Sequence, residues 1–259
     1  MKNRIYLLSI ILMTLSCSKD DVILLPAELL KPTEMKVCCQ SFPNDVLWSV
    51  KYEYDNNNLI TETILSNGNV QSKTTFEYNA NNQLILEIYK AGLLKMEKTF
   101  IYNELDQLIN IKYVFTNYNN NGEVVSKTES EAPREYENNL LVKEWEHWGG
   151  FITYQYKNGK IHIKIDHTKA GKQHHITTFK YSGDLLIEES KETSLGSMMY
   201  VKQYKYDSQN RLIKIQDREN IIEENDYIDN KLIEKRTYYF GIDPGFDVCY
   251  GKYIYRYKY

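Results

Sequence analysis

Polar and apolar positions alternate along most of this chain, and the alternation is punctuated at a nearly constant interval by one phrase. An aromatic pair is followed by a polar turn and then an apolar pair: Tyr52-x-Tyr54-Asp55 leads to Leu59-Ile60, Phe76-x-Tyr78-Asn79 to Leu84-Ile85, and Phe100-x-Tyr102-Asn103 to Leu108-Ile109. Looser copies follow at Tyr136 with Leu140-Leu141, Tyr154-x-Tyr156 with Ile161, and Phe179-x-Tyr181 with Leu185-Leu186. Tyr204-x-Tyr206-Asp207 with Leu212-Ile213 is again a clean copy. A period of about 25 residues marks a repeat architecture.

Each phrase reads as a hairpin: a strand ending in the aromatic pair, a tight turn, and a strand opening on the apolar pair. The turns, at 55–58, 79–83, 158–159, 182–184 and 207–211, are built from Asn, Asp, Gly and Ser, which accept positive φ or bond their own backbone. Within one repeat Ile161, Ile163 and Ile165 point one way and His162, Lys164 and Asp166 the other. Residues 117–133 form the one large insertion, an extended hairpin or a mobile loop. No helix is expected. The predicted fold is all-β, an antiparallel meander of about eight hairpin repeats, and its roughly sixteen strands exceed the ~10 at which an open twisted sheet curls. The expected form is an elongated, twisted or coiled sheet over residues 45–259, with Tyr253 to Tyr259 as a closing strand.

Composition changes this picture only in detail. Tyrosine is abundant at 23 residues against 8 phenylalanines, which suits half-buried strand positions with wet hydroxyls. Net charge is −3 with both signs interspersed, so no basic field recruits nucleic acid. The first residues have their own character: Lys2 and Arg4 precede an apolar run from Ile5 to Met13, too short to span a bilayer, where about twenty residues are needed. This is a cleavable export signal, residues 1–16. Its end, Thr14-Leu15-Ser16-Cys17, resembles the lipobox of bacterial lipoproteins, with Thr14 departing from the aliphatic residue preferred there. Ser18-Lys19-Asp20-Asp21 is similar to the tag that sends lipoproteins of the Bacteroidetes group to the outer face of the outer membrane. The resemblance implies lipid attachment at Cys17, a tether and leader over 17–44, and exposure at the cell surface. Of the other cysteines, Cys249 is expected to pair with Cys38 or Cys39, with three free thiols as the alternative.

The repeated phrase itself resembles the YD repeat of the RHS family over roughly residues 50–235, with clear matches at Tyr54-Asp55, Tyr78-Asn79, Tyr102-Asn103 and Tyr206-Asp207. The turn Gly and Arg of that family are mostly missing, apart from Arg211. The family's long forms coil a sheet into a shell, so the resemblance implies a small, open relative. Asp243-Pro244-Gly245 is similar to an element near the end of that shell and is read here as a turn.

Chemistry is sparse. If Ala170-Gly171 made a two-residue turn, His167 would face His174 and Asp166 would face His175, but two histidines fall short of the three or four ligands of a usual metal site. No metal and no cofactor are expected. Glu188-Glu189 and Glu223-Glu224 read as solvated edges, and no catalytic motif is present, so the protein is expected not to be an enzyme. Trp145, Trp148 and Phe151 flank Gly149-Gly150 and are the candidate ligand-binding residues, for a glycan or for a protein at the cell surface; Trp145 and His147 should share one strand face and Trp148 the other. A transmembrane barrel is disfavoured, because Thr61 to Ser66 and Glu144 to His147 lack a continuous lipid-facing stripe. The expected function is that of an outer-membrane-anchored surface lipoprotein acting as a non-catalytic binding or scaffolding module, with a glycan-binding or carbohydrate-active protein as the alternative.

Overall fold

The computed structural model describes residues 31–56, 58–238 and 252–259. The export signal, Cys17, Cys249 and Asp243-Pro244-Gly245 lie outside the described residues. Eighteen strands run in chain order: β1 Glu34–Cys39, β2 Val46–Asp55, β3 Asn58–Ser66, β4 Asn69–Tyr78, β5 Leu84–Ala91, β6 Leu94–Tyr102, β7 Leu108–Tyr118, β8 Val124–Glu137 and β9 Leu140–Trp145. The second half comprises β10 Phe151–Lys157, β11 Lys160–His167, β12 Gln173–Ser182, β13 Leu185–Thr193, β14 Met198–Tyr206, β15 Leu212–Asp217, β16 Asn220–Ile228, β17 Lys231–Tyr238 and β18 Lys252–Lys258. No helix occurs among the described residues. The insertion at 117–133 is an extended hairpin, β7–β8, turned by Asn119 to Glu123.

Each strand pairs antiparallel with its chain neighbours, and β1 pairs with β18 as well as with β2. The sheet is therefore a closed barrel, which corrects the expectation of an elongated open or coiled sheet. Two features explain the difference. The leader contributes a strand of its own, β1, which fills the gap between the first and last repeats. Every repeat also carries a β-bulge on the strand facing its tyrosine: the register shifts at Glu53/Tyr54, Glu77/Tyr78, Ile101/Tyr102, Glu135/Tyr136, Gln155/Tyr156, Lys180/Tyr181, Lys205/Tyr206 and Asp226/Tyr227. Bulges bend a strand and increase its twist, and one per repeat at the same end curls the meander onto itself. Closure removes the unpaired edges that an open sheet must protect.

Most of the tyrosines at these bulges reach sideways to the neighbouring repeat. Tyr78 donates its hydroxyl to the Leu59 carbonyl (3.1 Å), Tyr102 to Leu84 (3.0 Å), Tyr136 to Leu108 (3.0 Å) and Tyr156 to Leu141 (2.8 Å). Tyr206 donates to Leu186, Tyr227 to Leu212, Tyr54 to Pro32 and Tyr259 to Leu232. The aromatic and the leucine of the repeated phrase are thus partners between successive repeats. The turns that follow are Asx turns: Oδ1 of Asn79, Asn103 and Asp207 each accepts from the backbone N–H two and four residues on. Side chains link one turn to the next, as in Gln83 to Asp106 and Gln107 to Asn139. This end of the barrel, the tyrosine end, is laced around its rim.

Register assigns the two faces of the wall. One carries Val37, Val50, Thr74, Glu87, Lys98, Tyr113, Ala132, Ile152, Lys164, Thr177, Glu189, Tyr204, Asn225 and Thr237, all buried. Crowding of this kind belongs to the concave side of a closed sheet. Charges on this face are paired with one another: Lys98 Nζ lies 2.6 Å from Glu87 Oε1, and Lys235 lies 2.8 Å from Glu223. The convex face carries mid-strand charges in the open, among them Lys73, Lys112, Glu129, Glu131, Lys180 and Asp226. Eighteen strands spaced ~4.8 Å apart give a perimeter of at least about 85 Å, and barrels of 16–18 strands are too wide for their own side chains to fill. Each strand contacts only its two neighbours in the ring.

Candidate functional site

The aromatic candidates sit at the β9–β10 turn. Glu146 N–H bonds the Gly150 carbonyl and Gly149 N–H the Glu146 carbonyl, both at 2.8 Å, and Gly149 takes φ 96°, where a side chain would be strained. A Cβ at Gly150 would stand 3.0 Å from both the His167 carbonyl and Trp148 Nε1. Glycine suits the position because the His167 carbonyl, a backbone atom, leaves little room for a side chain.

The turn brings Trp145 and Phe151 opposite each other on the convex face, with ring centroids 6.3 Å apart. Lys143 Nζ caps both rings, at 4.0 Å from Trp145 and 4.6 Å from Phe151, a cation–π arrangement. His167 stacks on the other side of Phe151 at 4.4 Å, with Nε2 2.9 Å from Thr153 Oγ1 and with Nδ1 buried without a hydrogen-bond partner. Lys143, Trp145, Phe151 and His167 form a stack along the wall.

Trp148 does not join them. The expected alternation from Trp145 through His147 to Trp148 fails because β9 ends at Trp145 and the next residues are turn. His147 packs against Tyr113 (5.1 Å) and Phe115 (5.6 Å), residues of the concave side, and Trp148 meets His147 edge-on at 5.0 Å. Trp148 remains 63% exposed, so its ring is a projecting surface at the mouth of the barrel. Trp48 is half-buried and packs against Tyr253 at 5.9 Å.

The histidine cluster is dispersed. Asp166 does face His175, but a bulge at Asp166/His167 sets His167 opposite Gln173 rather than His174. His175 lies on the concave side, 3.6 Å from Asp166, which also holds Lys191 at 3.0 Å. Burial, then Lys191 and His174, lower the His175 pKa against the pull of Asp166. His167, on the convex face, cannot reach the same ion. No group of three metal-ligating side chains converges among the described residues.

Several carboxylates on the concave wall are engaged in the wall itself. Glu144 receives Arg134 Nε and Nη2, each at 2.9 Å, and Tyr154 donates to its other oxygen at 2.5 Å. Glu189 accepts from Tyr200 and from Tyr204, the latter at 2.6 Å. The Glu188-Glu189 pair therefore splits, with Glu188 on the convex face bonded to Lys180 at 2.6 Å. Burial and the neighbouring Glu87 raise the Glu62 pKa. Cys38 is free and buried, while Cys39 is disulfide-bonded to a partner outside the described residues.

Sequence reasoning missed a different feature. Among the described residues fourteen large hydrophobics are exposed, and ten of them, Phe42, Val46, Val70, Leu93, Val124, Val125, Trp148, Leu195, Met198 and Met199, lie at the end opposite the tyrosine rim. The signal was present in the Gly92-Leu93, Val124-Val125 and Leu195-Gly196 turn sequences, but only strand order shows that they share one end.

No family model and no curated protein matches the sequence. Among solved structures, the chain is similar to TcdB2-TccC3-TEV and TcdB2-TccC3, with TM-scores of 0.30, identities of 11% and 10%, and coverage of 74% and 73% of this chain. The chain spans only 11% and 12% of the length of those two. It is also similar to a porin-like protein from Bacteroides uniformis, at TM-score 0.37 and 13% identity, covering 82% of this chain and 62% of that one.

Proposed function

We propose that this protein is a non-catalytic binding or scaffolding barrel whose wall faces water, held at the outer-membrane surface by a lipid on Cys17. The charged convex face carries this reading. A lysine or arginine facing lipid at mid-depth costs ~2–4 kcal/mol, and Lys112, Lys180, Lys214 and Arg236 with their neighbouring carboxylates would all have to be accommodated. A barrel with this wall is held at a membrane by its tether or by an end rather than by spanning it. Engagement of Glu87, Glu144, Glu189 and Glu223 by lysine, arginine and tyrosine supports a wall-building role over a hydrolytic one.

Metabolic labelling with palmitate tests the anchor. The wild-type chain incorporates label and fractionates with outer membranes, and Cys17→Ala abolishes both; equal labelling of the variant would remove the lipid from the proposal. Planar-bilayer recording tests the wall. Reproducible conductance steps from the purified protein would show a spanning pore and overturn the water-facing reading.

A second reading, glycan binding, is favoured by Trp148 alone, which offers a flat, 63% exposed ring beside Gly150. Titration of tryptophan fluorescence with a glycan panel checks it: a saturable response lost in Trp148→Ala supports the reading, and a flat panel ends it.

A further inference from the structure

We infer that the end opposite the tyrosine rim docks onto an anionic lipid surface through the sector formed by the β3–β4, β5–β6, β7–β8 and β9–β10 hairpins. The inference rests on the water-facing reading of the wall and is independent of acylation at Cys17.

Two observations meet in this sector. The first is the row of exposed apolar tips: Val70, Leu93, Val124, Val125 and Trp148 are 62%, 48%, 59%, 67% and 63% exposed on four consecutive hairpins. The second is the row of cations just behind them. On the convex face Lys73 is directly opposite Lys90, Lys90 is opposite Lys95, and Lys127 follows across Thr116. Like charges in direct cross-strand register destabilise a sheet, so folding does not explain the row. Lys95 and Lys127 touch Glu97 and Glu129 at 2.8 and 2.6 Å; Lys73 and Lys90 have no carboxylate partner among the described residues. Between the tips and this row lies a shallow cleft of about 210 Å³, lined by Lys90, Gly92, Leu94, Lys95 and Tyr118.

Apolar tips backed at once by ammonium groups match the two layers of a membrane interface: acyl chains for the tips and headgroup phosphates for the lysines, whose stems lie along the apolar surface while their charges stay at the phosphates. Trp148 suits the boundary between the two layers. A protein partner would have to offer separate sockets at the spacing of the four tips, whereas a fluid leaflet fills the gaps between them. Charge complementarity therefore selects an anionic lipid over an apolar protein face.

Flotation of the full chain carrying Cys17→Ala, mixed with phosphatidylcholine vesicles with and without phosphatidylglycerol, tests this. The expected result is flotation with the anionic vesicles that weakens as salt rises. Each phosphate-facing lysine contributes about fivefold to binding, so Lys73→Gln with Lys90→Gln should lower the bound fraction at least about tenfold. Leu93→Asp with Val125→Asp should abolish flotation, and Leu105→Asp, at the tyrosine end, should leave it unchanged. Trp148 emission should shift to the blue on anionic vesicles. No flotation, or equal flotation of all variants, overturns the proposal. So does sedimentation as a dimer that Leu93→Asp splits, which would make a second copy the occupant. Palmitate labelling is read separately, so its failure would not be confused with failure here.

Discussion

The lateral tyrosine bonds make a quantitative claim about what holds the repeats together. Tyr102→Phe removes one O–H that donates at 3.0 Å to the Leu84 carbonyl, leaves the ring in place, and should cost about 1 kcal/mol, the usual net value of one hydrogen bond. The same change at Tyr78 and Tyr136, which donate to Leu59 and Leu108, removes the equivalent bond in the repeats on either side. The three hydroxyls have different acceptors, so their effects should add to about 3 kcal/mol. With a urea slope of ~3 kcal/mol/M for a barrel of this size, the midpoint should fall by about 0.3 M for Tyr102→Phe and about 1 M for the triple variant, with the slope unchanged. Tyr89→Phe is the internal control, because the Tyr89 hydroxyl makes no hydrogen bond among the described residues. Equilibrium unfolding followed by far-ultraviolet circular dichroism provides the midpoints. If Tyr102→Phe and Tyr89→Phe shift the midpoint equally, the hydroxyl ladder contributes nothing and only the rings matter.

Lys98→Met should destabilise the barrel by about 3–5 kcal/mol by leaving Glu87 buried without its cation, and Lys98→Met with Glu87→Leu should recover most of that loss in the same assay. Stability should also fall as pH rises above about 10. Burial raises the Tyr54 and Tyr227 pKa values to about 12, and those of Tyr102, Tyr136 and Tyr206 in the same direction. The unfolded chain then releases phenolic protons first, from the usual tyrosine value near 10 upward. The stabilisation is complete below that pH and is lost through the folded values, and a flat midpoint between pH 9 and pH 11.5 would contradict it. Alkylation with mass-spectrometric mapping should leave Cys38 unmodified in the native protein and modify it in denaturant, while Cys39 reacts only after reduction; labelling of native Cys38 would refute its burial in a closed sheet.

Strands and turns were legible in the sequence because the repeated phrase marks both, and residues such as Asn79, Asn103 and Asp207 occupy the turns in one shared geometry. Closure was not legible. It depends on bulges, and adjacent apolar pairs such as Leu59-Ile60 and Leu84-Ile85 do not reveal in sequence that one member of each is the extra residue opposite a tyrosine. β1 was hidden for another reason: Val37, Cys38 and Cys39 are buried in succession between two strands, so the segment shows no period of two. The facing of Trp145 and Phe151 follows from a short turn, whereas the positions of His147 and Trp148 depend on where β9 stops. Register alone separated His167 from His174, and one bulge was enough to do it.

Closure has a consequence for how the chain reaches its native state. Every pairing but one joins neighbours in the chain and can form as soon as both strands exist; the remaining one joins Glu34–Cys39 to Lys252–Lys258 across the whole array. Local hairpins zip quickly, while contacts of high sequence separation wait on the entropy of bringing distant segments together. The first strand is therefore made early and satisfied last. Until β18 arrives, both borders of the growing sheet are adhesive, so a chain interrupted before residue 252 would expose two open strand edges and polymerise through them, edge to edge, where the complete chain remains a self-contained ring.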